Sequence, residues 1–182
     1  GNPGREFAHT RHNAGADAVA TVADRNGIAL RPERGLCALA AARSFGKKML
    51  VLAIPVTYMN DSGIALVELI RRYSVTDTDH LVVVHDELDL PVGAVRVKTG
   101  GGTAGHNGLR SIAERLGTLD FIRIRIGIGK PPGHVPGVDY VLRRPTSAEA
   151  PALASAIELA ADAAEMIFDR GIAATMDKVN AS

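Results

Sequence analysis

Apolar residues recur along this chain with two different periods, and the switches between them outline helices and strands in alternation. After a Gly1-Asn2-Pro3-Gly4 turn, Asn13 to Asn26 reads as a helix that Gly27 is placed to stop. Leu36 to Phe45 and Lys48 to Pro55 are strand-like, with Gly46 between them as a hairpin turn. Ser62 is placed to cap a helix whose Ile64, Val67, Leu69, Ile70 and Tyr73 recur near helical spacing. Leu81 to His85 is a short continuous apolar run, the pattern of a buried strand. Ala94 to Lys98 alternates apolar with basic residues. Gly100 to Gly105 is a loop, and His106 to Leu116 a helix closed by Gly117. Phe121 to Ile128 alternates strictly, with Ile122, Ile124, Ile126 and Ile128 on one face and Arg123 and Arg125 on the other. Gly129 to Pro145 holds four prolines and reads as a mobile loop. A long helix follows from about Ser147 to Arg170, then a shorter one after Gly171.

Interleaved strands and helices predict an α/β fold. The hairpin argues against a purely parallel sheet, so the expectation is one domain over residues 1–182, with a mixed central β-sheet and helices on both faces. A turn at Gly1 is where a strand should have delivered the chain, so a short apolar strand before Gly1 is also expected.

Composition narrows the class of protein. The chain has 182 residues and 46% hydrophobic content, enough for a core and far from a disordered composition. No apolar run approaches the roughly 18–20 residues that span a bilayer, and no secretory pattern is present, so a cytoplasmic address is the expectation. Cys37 is the single cysteine, which excludes an internal disulfide. The net charge of +1 is unevenly spread: residues 1–95 carry 10 Lys/Arg against 11 Asp/Glu, residues 96–144 nine against three, and residues 146–182 two against six. A basic middle could hold a phosphate backbone, although solvated surface arginines fit the same charge.

Residues able to do chemistry gather at predicted element ends: Asn2, His12, Asn13, Asn60, Asp86, His106 and Asn107. A histidine can take a proton near neutral pH, a carboxylate can fix its tautomer, and asparagine amides can orient water or polarise a carbonyl. No Gly-x-Ser-x-Gly elbow exists, which leaves water as the nucleophile. The run His85-Asp86-Glu87-Leu88-Asp89 lacks a second ligand cluster at metal spacing, so no metal is expected. Gly100 to Gly105 formally matches a dinucleotide fingerprint, but the preceding strand carries Arg96 and Lys98, unlike the apolar strand such a site requires.

Six runs together resemble the bacterial peptidyl-tRNA hydrolase family across almost the whole chain. They are Gly1 to Gly4, Thr10-Arg11-His12-Asn13-Ala14-Gly15, Pro55 to Gly63, His85 to Pro91, Lys98 to Leu109, and Arg123 to Gly129. The resemblance implies hydrolysis of the ester joining a peptide to the terminal ribose of tRNA, without a cofactor. It implies His12 as general base with Asp86 orienting it, and Asn2, Met59, Asn60, His106 and Asn107 around the substrate. Lys98 and Arg125 would grip tRNA phosphate, residues 129–141 would cover the site, and the enzyme would be a monomer. Phe7 departs from the family's usual tyrosine, which removes a hydroxyl from the pattern. Two rival readings are an RNA-binding protein on the same fold that hydrolyses nothing, and a nicotinamide-dependent oxidoreductase built on the glycine loop.

Overall fold

The computed structural model describes residues 1–181. Among them the strands are β1 (Arg31–Pro32), which no sequence pattern announced, β2 (Ala38–Phe45), β3 (Lys48–Pro55), β4 (Val82–Glu87), β5 (Val95–Thr99) and β6 (Ile122–Gly127). The helices are α1 (Ala14–Arg25), α2 (Ser62–Arg72), α3 (Asn107–Leu116), α4 (Gly137–Val141), α5 (Ala150–Arg170) and α6 (Ile172–Val179), all but α4 answering to a helical pattern. The strands form two three-stranded sheets, an antiparallel β1-β2-β3 and a mixed β4-β6-β5. In the mixed sheet β4 runs parallel to β6, whereas β5 pairs with β6 antiparallel.

The period of two in β6 decides the layering. Ile122, Ile124 and Ile126 join Val95 and Val97 in the main core, covered by α1, α5 and α6. Alanines make that covering close: Ala14 and Ala18 of α1, and Ala156, Ala160 and Ala163 of α5, are all nearly inaccessible. The opposite face carries Val83 beneath a second cluster of Leu66, Leu109, Ile112 and Phe121, supplied largely by α2 and α3. The hairpin packs through Leu52 against Val22, Ala23 and Ala161, and through Ala38 and Ala40 against Leu69. Helix α6 guards β5, where the Asn180 amide pairs with both the N–H and the carbonyl of Val97 at 2.9 Å each, as a neighbouring strand would.

Three local expectations change. Ser62 opens α2 without capping it: its hydroxyl donates to the Met59 carbonyl at 2.8 Å. The buried face of α2 is Ala65, Leu66 and Leu69 rather than the Ile64–Val67 line, because α3 packs across the small residues. The proline-rich stretch contains the five-residue α4, with Pro136 preceding its first turn, where the ring's fixed φ suits helix entry. No helix of the described residues is long and apolar enough to cross a membrane.

Candidate active site

A close backbone contact brings the two key residues together. Gly15, in the first turn of α1, lies against β4 so tightly that a Cβ there would be 2.1 Å from the Val84 carbonyl oxygen. Only glycine permits that approach. It places His12, three residues before, against Asp86, two residues after. His12 Nδ1 lies 2.9 and 3.1 Å from the two Asp86 carboxylate oxygens. From the other side, His106 Nε2 lies 3.0 Å from Asp86 Oδ1.

The hydrogen bonds define the tautomers. His106 Nδ1 accepts the Leu109 backbone N–H at 3.2 Å, capping α3, so its proton is on Nε2 and is donated to Asp86. Burial alone would push the Asp86 carboxyl up, but hydrogen bonds from His106 and His12 outweigh it and hold the group well below the usual carboxylate range. An ionised Asp86 only accepts, so His12 donates from Nδ1 and its Nε2 lone pair is left at the cleft wall. The His12 and His106 rings stand 4.8 Å apart, and His85 meets His106 edge-on at 5.1 Å. His85 donates to the Asp86 carbonyl at 2.7 Å, while its Nε2 is buried without a partner among the described residues. Burial, with help from nearby His106, lowers its pKa to about 3, so it stays neutral.

These groups open into a cleft of about 550 Å³. Every substrate-side residue expected from the sequence lines it: Asn2, His12, Met59, Asn60, Asp86, His106 and Asn107. Two of the amides already have their oxygens engaged. Asn2 Oδ1 accepts from the Met59 N–H at 2.7 Å, and Asn107 Oδ1 accepts from Arg110. Each therefore has its NH₂ group left to donate. No serine, threonine or cysteine is among the described lining residues; Cys37 lies elsewhere, against Glu68.

Lys98 and Arg125 lie outside the cleft, on the mixed-sheet face opposite the isoleucines. The register sets Arg96 opposite Arg125 and Lys98 opposite Arg123, a square of four cations on two adjacent strands. Like charges so paired oppose sheet formation, and two of the four are offset by partners of their own. Arg123, expected on the polar face, is only 1% exposed. It donates to the carbonyls of Gly101 and Gly102 at 2.6 Å each and of Leu119 at 3.1 Å, holding the glycine loop. Arg125 Nε donates to Glu87 at 3.1 Å. Burial, then repulsion from Arg125 and Arg123, lowers the Lys98 pKa.

The cleft's apolar wall is Phe7, Tyr58, Leu88, Val138, Val141 and Leu142. Val138 and Val141 fall in the 129–141 stretch expected to cover the site, whereas Tyr58, Leu88 and Leu142, like Arg11, His85 and Glu87, were not singled out in the sequence. Membership of the matching runs was the available signal for Arg11, His85, Glu87 and Leu88, since a buried polar residue has no period to betray it. The ligand atoms of His12, Asp86 and His106 lie within 4.8 Å of one another, a grouping that could draw a metal ion. The atoms facing each other there already form two imidazole–carboxylate hydrogen bonds.

Fold and cleft define a class: an α/β protein whose cleft joins a histidine to a buried aspartate, beside a strongly basic sheet face. Comparison with known proteins goes further. The family model described as Peptidyl-tRNA hydrolase matches residues 1–182, and the chain belongs to that family, a family of hydrolases. A peptidyl-tRNA hydrolase of Chloroflexus aurantiacus is 44% identical over 180 residues, covering 99% of this chain and 95% of its own. One of Mycolicibacterium vanbaalenii is 45% identical over 181 residues, covering 100% and 94%. The crystal structure of peptidyl-tRNA hydrolase from Acinetobacter baumannii superposes with a TM-score of 0.92 at 36% identity, covering 100% of this chain and 91% of that one.

Proposed function

We propose that this chain hydrolyses the ester between a peptide and the terminal ribose of tRNA by activating water with His12. The observation that carries the reading is the His12–Asp86 pair: an imidazole held through Nδ1 by a buried carboxylate, on the wall of the cleft. His12 Nε2 takes a proton from water as the oxygen attacks the ester carbonyl. Asp86 holds the ring and stabilises the imidazolium that forms. The NH₂ groups of Asn2 and Asn107, with Asn60 beside them, donate to the developing oxyanion or position the water. The C–O bond to the ribose then breaks, and the proton passes from His12 to the departing ribose oxygen. His106 steadies Asp86, and Met59 packs beneath α3 at the cleft floor.

Lys98 and Arg125 bind tRNA phosphate in this reading, with charge supplied by the basic square around them. The enzyme works as a cytoplasmic monomer on the acceptor end of peptidyl-tRNA, needing neither metal nor organic cofactor. The test is hydrolysis of N-acetyl-aminoacyl-tRNA in ¹⁸O-labelled water, with and without a chelator. One ¹⁸O should enter each released carboxylate, unaffected by chelation. Tight tRNA binding without turnover would favour an RNA-binding protein, and turnover lost on chelation would make the three-residue cluster a metal centre.

A further inference from the structure

We infer that Arg11 is a positioning residue that locks the α4 wall of the cleft to the segment carrying His12; the inference rests on the His12 reading above. Arg11 is almost fully buried and serves one continuous stretch of chain. Its Nη1 donates to the carbonyls of Tyr140, Arg143 and Arg144 at 3.4, 3.2 and 2.9 Å, and its Nη2 to Glu149 at 2.5 Å. Its own N–H donates to the Arg143 carbonyl at 3.1 Å, and its guanidinium carbon lies 4.1 Å from the centre of the Tyr140 ring.

The contacts explain why α4 exists. Five residues cannot hold a helix in water, since nucleation outweighs so few hydrogen bonds. The Tyr140 carbonyl at the end of α4 also takes the Arg143 N–H at 3.2 Å, but the Arg143 and Arg144 carbonyls just beyond it have no donor in the helix. Arg11 supplies partners for these two and a second donor for Tyr140. At the other end of the segment, the Tyr140 hydroxyl donates to the Ile128 carbonyl at 2.7 Å and closes the loop from 129 to 139. Between these ties, Gly137, Val138, Val141 and Leu142 line the cleft. Glu149 neutralises the buried guanidinium and is itself held by the Thr146 N–H and hydroxyl at 2.8 Å each. One peptide unit thus joins the anchor of the cover to the residue bearing the base, so a shift of either moves the other.

Arg11→Lys keeps the charge but not the fork, so one amine must replace four side-chain contacts. Hydrogen exchange at residues 137–143 should speed up at least about tenfold, while amides of β4 and β6 stay protected. The kcat should fall on the order of tenfold, equally for full tRNA substrate and for a minimal ester lacking the tRNA body. The salt dependence of KM should not move, since no phosphate contact is removed. Wild-type exchange at 137–143 would overturn the clamp, and a loosened segment with unchanged kcat would overturn its link to catalysis. A changed salt slope would make Arg11 a phosphate ligand instead. If Arg11→Lys fails to fold, Glu149→Gln serves: faster exchange confined to the same segment supports the clamp, and none refutes it. His12→Ala is measured in parallel; its full turnover would sink the base reading whatever happens at residues 137–143.

Discussion

Gly15→Ala tests the geometry that makes the site. The added methyl carbon would be 2.1 Å from the Val84 carbonyl oxygen, 2.7 Å from its carbon and 3.2 Å from the His85 Cα. A carbon–oxygen contact needs about 3.3 Å, so α1 must withdraw from β4 by roughly 1 Å. His12 lies in the tight turn that leads directly into α1, so if that turn follows the helix its 2.9 Å bond to Asp86 stretches to nearly 4 Å, beyond hydrogen-bond range. Overpacking of this kind costs about 1–3 kcal/mol. A misplacement of about 1 Å in a catalytic group can cost on the order of 10²-fold in rate. The experiment pairs single-turnover hydrolysis with thermal unfolding. A rate loss far larger than the modest fall in Tm is expected, with substrate still bound. Full turnover at unchanged Tm would show that the close approach does not set the His12–Asp86 distance.

Lys98→Ala should raise KM for tRNA-linked substrate and flatten its salt dependence by about one counterion, with little effect on a minimal ester; equal effects on both substrates would make it structural. Arg125→Ala should do the same and also lose stability, because Glu87 is left buried without its partner. His85 gives a pH signature: its folded pKa, about 3, lies below its ordinary 6.5, so its contribution to stability is full above pH 6.5 and is lost as pH falls toward 3. Urea unfolding should show about 2 kcal/mol more loss between pH 7 and 4.5 for wild type than for His85→Asn, and equal losses would refute the buried neutral ring. Asp86, depressed from 3.8, acts in the same sense only at lower pH. Reversing Glu158 and Asp162 should leave tRNA affinity nearly unchanged at moderate salt, since both are paired to Arg25 on the outer face of α5, away from the basic square; a large change would relocate the docking face.

How far the sequence could be read follows from what repeats. The isoleucines of β6, the hairpin about Gly46 and the glycine stop after α3 are periodic or conformational signals, and each element formed within a few residues of its expected bounds. The cleft residues were legible as polar groups at element ends, because strand ends and helix starts converge there. Alternation puts Arg123 on the correct face but does not reveal its burial. That face is roofed there by the glycine loop, whose carbonyls take up the guanidinium. Helix α4 was hidden for another reason: it spans little more than one turn, follows four residues of Pro and Gly among seven, and is held by Arg11, over a hundred residues away. Long-range capping leaves no local trace.

The most direct test of the account is the kcat of His12→Ala on N-acetyl-aminoacyl-tRNA under single-turnover conditions. A loss of about 10²–10⁴-fold is expected, the usual range for a general base, with KM close to wild type because the ring supplies chemistry rather than grip. Turnover near the wild-type rate would contradict the account, and the base would then have to be sought elsewhere in the cleft.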